Sequence, residues 1–109
     1  MVVWWGTPVE CASAIARLRR EGVLSETVER EALTVLDLLR SGWHELLPGD
    51  AVRAQAQRAL RLHPLRTADA LQLAAALEWA GVPPSGEMVC FDARLGGAAE
   101  REGFTVLGI

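Results

Sequence analysis

The chain has 109 residues, half of them hydrophobic, and this predicts one compact domain spanning residues 1–109 around a single core. Its 11 basic and 14 acidic side chains give a net charge of −3, which argues against nucleic-acid binding by bulk attraction and leaves that role to a local arginine patch. No apolar run reaches transmembrane length, so we expect a cytoplasmic protein with no membrane partner. Cys11 and Cys90 match no metal-binding spacing and are expected to be reduced core thiols.

The N-terminal third predicts a strand and two helices. Residues 2–5 are β-branched and aromatic and end at Gly6, which is typical of a short strand. The sequence Thr7-Pro8-Val9-Glu10 has the form of a capping box that opens a helix, so Glu10 has a structural explanation beside any functional one. Ser25 is expected to cap a second helix, whose apolar residues recur every three or four positions.

The middle of the chain combines a strand, a helix and two histidines. Trp43–Leu47 predicts the strand, and Asp50 is expected to cap a helix that runs to about Leu62. His44 and His63 are interpreted as packing, surface or turn residues, because neither has the Ser or Cys partner of a nucleophilic triad.

The segment Leu65–Leu77 predicts an interior helix, because its body is almost wholly apolar. Thr67 is expected to be the N-cap, which places Asp69 at the second position of the helix. Asp69 has two interpretations: it complements the positive end of the helix dipole, or it belongs to a functional site. The other acidic residues of the chain decide between them.

The C-terminal third alternates strand, helix and strand. Glu87–Phe91 is typical of a short buried parallel strand, and Asp92 ends it and opens a helix over Ala93–Glu102. Phe104–Leu107 predicts a final buried strand. Helices and strands alternate along the chain, and this predicts an α/β fold with a parallel sheet and helices on both faces.

Three acidic residues lie beside strands of this predicted sheet. Asp92 directly follows a strand, Glu10 follows one after a tight turn, and Asp69 opens the helix that precedes the Asp92 strand. Ligands bind at the carboxyl ends of parallel strands, so the three carboxylates are expected to converge there. Converging carboxylates repel one another unless a cation neutralises them, and oxygen ligands suit Mg²⁺ or Mn²⁺. Such an ion can activate water for attack on a phosphodiester.

Several segments resemble the PIN-domain proteins, and within them the VapC-type toxins of bacterial toxin–antitoxin pairs. They are Pro8-Val9-Glu10 with Ala12-Ser13-Ala14, then Leu65–Ala76, Val89–Leu95 and Ala98–Leu107. The resemblance implies a three-layer α/β/α sheet and a ribonuclease dependent on Mg²⁺ or Mn²⁺. It places Glu10, Asp69 and Asp92 on three of the family's acidic positions. It also implies that the protein acts on RNA as a dimer and is inhibited by a partner antitoxin.

The chain departs from this family at its start. PIN domains begin with a central strand that ends in an aspartate, and no such segment is present here. We therefore expect a partial PIN-like domain, truncated at the N-terminus, whose sheet has a gap between the strands at Val2–Trp5 and Met88–Phe91. Unpaired strand edges at that gap predict either self-association or a rearrangement of the edge.

Two functions follow from the sequence. The first is an RNA-hydrolysing enzyme whose phosphate contacts come from Arg66 and Arg94, because the planar guanidinium suits phosphate oxygens; simple surface solvation is the alternative for both. The second is a catalytically inactive PIN-like binding or self-association module. The four tryptophans are expected to be core or interface residues rather than base-stacking ones.

Overall fold

The structure, a computed structural model, describes residues 1–108 as five helices and four short strands. In chain order they are β1 (Val2–Trp4), α1 (Thr7–Arg20), α2 (Glu26–Arg40), β2 (His44–Leu46), α3 (Asp50–Leu62), α4 (Thr67–Ala80), β3 (Glu87–Val89), α5 (Ala93–Glu102) and β4 (Thr105–Leu107). The predicted mixed α/β class and the order of its elements are confirmed. Among the described helices, none is both long enough and apolar enough to cross a bilayer.

The four strands form two separate pairs rather than one sheet. Strand β1 pairs with β2, and β3 pairs with β4. The second pair is parallel, with Glu87 opposite Thr105 and Val89 opposite Leu107. Within the described chain, β1 and β3 therefore each have a single hydrogen-bonded neighbour and one open edge. These are the two strands between which the sequence predicted a gap.

The chain divides into two compact units, Met1–Glu45 and Leu46–Ile109. The buried hydrophobic side chains of residues 1–108 all belong to the second unit, where α3 and α4 make the most extensive helix contact. Leu73 and Leu77 of α4 are the largest side chains that are completely buried. Around them lie mostly small residues, which let the helices approach closely: Val52, Ala56, Ala59, Ala70, Ala74, Ala75, Leu95, Ala98 and Ala99.

Helix α4 is the interior helix that the sequence predicted. Its buried residues are on more than one face, so apolar groups surround it. The helix ends at Gly81, whose φ of 93° lies in the region that favours glycine. Helix α5 has the predicted bounds and ends in the same way at Gly103, with φ of 116°.

The first unit contains α1 and α2, which pack against each other. Neither helix has a buried residue. One long ion pair, 3.9 Å between Arg19 Nε and Glu29 Oε1, joins them. Cys11 lies in this unit and is only half-buried, whereas Cys90 in the second unit is buried. Both thiols are free, but the expectation of a core position is confirmed for Cys90 alone.

Two of the predicted helix caps are confirmed. Ser25 Oγ accepts a hydrogen bond of 3.1 Å from the Val28 amide, which satisfies one of the unpaired donors at the start of α2. Asp92 caps α5 in the same way.

Three other predicted caps are wrong, because each helix begins one residue earlier than expected. Gly6, Gly49 and Arg66 occupy the N-cap positions, and none gives a side-chain capping bond. Thr7, Asp50 and Thr67 are instead the first helical residues. Gly49 and Arg66 have the extended backbone of an N-cap, so the polar residue that follows each already has helical geometry.

Candidate functional site

Asp92 lies at the carboxyl end of the parallel β3–β4 pair. Its Oδ1 accepts hydrogen bonds from the amides of Arg94 at 2.8 Å and Leu95 at 3.0 Å. These bonds fix the carboxylate at the start of α5, where the backbone amides and the helix dipole favour negative charge. Both bonds end on Oδ1 and the residue is exposed, so Oδ2 is accessible to a ligand.

Asp69 lies in the first turn of α4 and is half-buried. Because Arg66 is the N-cap, Asp69 is the third helical residue and not the second, as the sequence predicted. A carboxylate in this turn is stabilised by the positive end of the helix. Both interpretations of Asp69, as a complement to the dipole and as a functional acid, therefore fit its position.

Glu10 lies in the first turn of α1 and is half-buried. The capping box predicted for it requires Thr7 at the N-cap, but Gly6 is the N-cap and its carbonyl accepts the Glu10 amide at 3.1 Å. Glu10 is thus one position further into the helix than the predicted motif needs. The sequence pattern was misleading because Gly6 has αR geometry, which extends the helical backbone towards the strand.

The three acidic residues do not form a metal centre in the described part of the chain. Glu10 belongs to the first compact unit, and Asp69 and Asp92 belong to the second. Among residues 1–108, no group of three or more His, Cys, Asp or Glu side chains is placed to hold a metal ion. Mg²⁺ is usually held by carboxylates together with water, so two acids of one unit supply part of its coordination at most.

The two arginines predicted to contact phosphate flank the acids of the second unit. Arg66 is the N-cap of α4, three residues before Asp69, and Arg94 is the second residue of α5, next to Asp92. Both are exposed, and neither takes part in the ion pairs found among residues 1–108. Each helix N-terminus thus carries one carboxylate and one guanidinium, as the sequence order requires.

The structure contains a charged cluster that the sequence did not reveal. Glu102, at the end of α5, accepts from Arg58 of α3 at 3.0 and 3.2 Å, and its Oε2 lies 2.6 Å from His63 Nε2. The side chains of Glu102 and His63 are each 7% exposed. The Nε of Arg101 lies 3.4 Å from His63 Nδ1 and donates to it. His63 was interpreted as a turn residue; it does end α3, but its ring also joins α3 to α5.

This cluster has an internally consistent protonation state. Because Arg101 donates to Nδ1 of His63, that nitrogen is the acceptor and Nε2 carries the proton shared with Glu102. Burial raises the pKa of Glu102, but the hydrogen bonds from His63 and Arg58 outweigh it and hold the pKa below its ordinary value. The carboxylate is therefore ionised and satisfied, which suits a structural role. No local sequence pattern connects these residues, because His63 and Glu102 are 39 positions apart.

An open depression of about 580 Å³ lies in the first unit and extends onto β2, at the C-terminal end of α2. Its lining mixes acidic, basic and aromatic side chains: Asp37, Arg40, Ser41, Trp43, His44 and Glu45. The Trp43 Nε1 donates to Glu45 Oε2 at 3.1 Å, so this indole is held by its own neighbour. The mixture of charges favours no single class of ligand.

In comparisons with known proteins, no family model, no curated protein and no solved structure matches this chain. The candidate site is therefore argued from its residues alone.

Proposed function

We propose that the chain is a PIN-like ribonuclease of the VapC type, which hydrolyses RNA phosphodiester bonds with Mg²⁺ or Mn²⁺. The observation that supports this proposal is Asp92, held by α5 at the carboxyl end of a parallel strand. That is where ligands bind in parallel α/β sheets. Asp69, in the first turn of α4, supplies a second acid in the same compact unit.

The proposed acidic residues are Glu10, Asp69 and Asp92, and the resemblance to PIN domains assigns all three to the metal. The ion, when bound, activates water and stabilises the charge that develops on the phosphate. The described residues do not form a complete donor set, so the proposal concerns the class of reaction and the acids it needs. Arg66 and Arg94 are proposed to contact backbone phosphates, because each lies beside one of the acids and is exposed.

The rest of the resemblance enters as part of the same proposal. It includes a three-layer α/β/α arrangement, an antitoxin protein as inhibitor, a homo-oligomer and a cytoplasmic location. The net charge of −3 makes RNA binding depend on the local arginines rather than on the whole surface. RNA affinity is therefore expected to fall with the loss of one arginine, since few others share the work.

A second candidate is the catalytically inactive binding or self-association module. Two observations favour it: no three metal-ligating side chains come together within residues 1–108, and β1 and β3 each have an open edge. A chain of this kind keeps interaction surfaces without turnover.

A cleavage assay decides between the two candidates. Single-stranded RNA is incubated with the wild type, Asp69→Asn and Asp92→Asn, each with Mn²⁺ and with a chelator. Asparagine also caps helices, so Asp92→Asn retains the start of α5 while removing the negative charge. Glu78→Gln, an exposed acid on α4, is the matched control for the loss of one charge.

The ribonuclease proposal predicts cleavage with Mn²⁺ by the wild type and by Glu78→Gln. It predicts a loss of about 100-fold or more in the two aspartate variants and no cleavage with the chelator, because general acid–base and metal roles are worth factors of this size. Equal background cleavage in all samples would reject the enzyme and support the binding module.

A further inference from the structure

The free edge of β3 presents unpaired backbone groups in a regular row. The Cys90 amide donates to the Leu107 carbonyl at 2.8 Å, and the Gly86 carbonyl accepts from Thr105 at 3.3 Å. Even-numbered residues of this segment therefore face β4. Because a strand alternates the direction of its backbone groups, those of Glu87, Val89 and Phe91 point to the open edge.

The outer face of the same strand pair is apolar. Met88, Cys90 and Val106 are turned towards the interior and are buried or half-buried. On the other face, Val89 is 66% exposed, Leu107 is 43% exposed and Phe91 is 81% exposed. The open edge and the exposed apolar side chains thus occur on one strand, and an edge of this kind is a template for pairing with another strand.

The edge lacks the devices that prevent such pairing. Residues 87–91 contain no lysine and no proline, and their one charged residue is Glu87. Two copies of an identical strand related by a two-fold axis pair antiparallel, and here the register can centre on Val89. In that register Glu87 lies opposite Phe91 of the second copy, so no like charges face each other.

We propose that two copies of the chain associate through their β3 edges, giving a four-stranded sheet in the order β4-β3-β3-β4. The occupant of the edge is a second copy because the strand is complementary to itself in the register centred on Val89. The exposed side chains of Val89, Phe91 and Leu107 then form one continuous apolar surface across the axis. This dimer is independent of RNA cleavage, so its test does not depend on the ribonuclease proposal.

The register is tested by placing charges on the axis. Val89→Lys puts two ammonium groups opposite each other in a dimer, and Val89→Glu puts two carboxylates there. Val35→Lys and Val35→Glu are the matched controls, because Val35 is an apolar residue of α2 that is 54% exposed. The molar mass of each variant, and of equimolar mixtures of opposite charge, is measured by sedimentation over a range of concentrations.

The dimer predicts that the wild type approaches twice the 11.8 kDa chain mass as concentration rises. Association weakens roughly tenfold or more in Val89→Lys and Val89→Glu alone, and it returns when these two variants are mixed. Both Val35 variants still dimerise. A wild type that stays monomeric, or Val89 variants that associate as well as the wild type, would overturn the proposal. A dimer lost only in the Val35 variants would place the interface on α2 instead and would also overturn it.

Amide exchange of the wild type gives an answer even where a variant fails to fold. Exchange at Val89 and Phe91 is expected to slow as concentration rises, because their amides become bonded in the dimer. The Cys90 amide is already bonded to β4 and serves as the internal reference. Exchange at Val89 that does not change with concentration would exclude pairing through this edge.

Discussion

The two compact units of this chain differ in what they do with their apolar residues. In the second unit, α4 is surrounded by small and medium-sized side chains, and thirteen hydrophobic residues are buried across it. In the first unit, α1 and α2 contact each other but bury no residue. Apolar content alone therefore does not create a core. A helix becomes an interior helix only when enough surfaces surround it, as they do for α4.

Helix α2 shows why the first unit has no interior. Its half-buried apolar residues, Ala32 and Leu36, lie on one side of the helix. Val28, Val35 and Leu39 recur at intervals of seven and four along an adjacent stripe and are exposed. The helix thus has more apolar surface than α1 covers. We expect lower local stability here than in α4, because few buried contacts oppose local opening.

The largest effect that separates the units comes from truncating a leucine in each. Leu73→Ala leaves a cavity in the second unit and is expected to lower the free energy of unfolding by about 2–5 kcal/mol. Leu38→Ala on α2 removes the same atoms from a side chain that is 68% exposed, and about 0.5 kcal/mol or less is expected. Urea unfolding followed by circular dichroism measures both. Similar losses in the two variants would show that the contrast in burial is wrong.

The next effect tests the buried cluster that joins α3 to α5. Glu102→Gln removes the charge that Arg58 and His63 both contact, and the expected cost is about 2 kcal/mol of unfolding free energy. Glu100→Gln, an exposed acid of the same helix, is the control. The measurement is again the urea midpoint at neutral pH. If Glu102→Gln and Glu100→Gln have equal midpoints, the cluster does not stabilise the second unit.

The same carboxylate predicts a dependence of stability on pH. Because the pKa of Glu102 is lowered in the folded state, the unfolded chain binds more protons as the solution becomes acidic. Its contribution to stability is present above the unfolded pKa and is lost as the pH falls through the lower, folded pKa. The wild type should therefore lose stability relative to Glu102→Gln on acidification. A constant difference between the two proteins across that range would contradict the assignment.

The smallest effect distinguishes a true cap from a residue that only looks like one. Ser25→Ala removes the bond to the Val28 amide and is expected to cost about 1 kcal/mol. Thr67→Ala alters the first helical residue of α4, which makes no capping bond, so a few tenths of a kcal/mol at most are expected. Thermal or urea unfolding of the two variants checks the order. A larger loss for Thr67→Ala would restore Thr67 as the N-cap.

Local signals explain what the sequence could predict. The helix bounds of α5, the caps Ser25 and Asp92, and the interior character of α4 each depend on residues within a few positions of one another. The N-caps at Thr7, Asp50 and Thr67 were wrong because a polar residue and the one before it can both begin a helix. Only the backbone angles at Gly49 and Arg66 decide that choice.

Long-range features were beyond local patterns. The bonds between Glu102, His63 and Arg58 join residues about 40 positions apart, and no spacing rule indicates them. The division of the strands into two pairs was anticipated only in part, through the gap expected beside β1 and β3. Whether Glu10, Asp69 and Asp92 share one ion is a question of the same kind, because sequence spacing does not fix distances between remote side chains.

The most direct test of that shared ion is paramagnetic broadening by Mn²⁺ in ¹H–¹⁵N spectra of the wild type. The ribonuclease proposal predicts that substoichiometric Mn²⁺ broadens the amide signals around Glu10, Asp69 and Asp92 together, and that Asp92→Asn abolishes the effect at all three. Broadening that stays confined to one of these helix starts, or that is spread evenly over the surface acids, would contradict a common metal site.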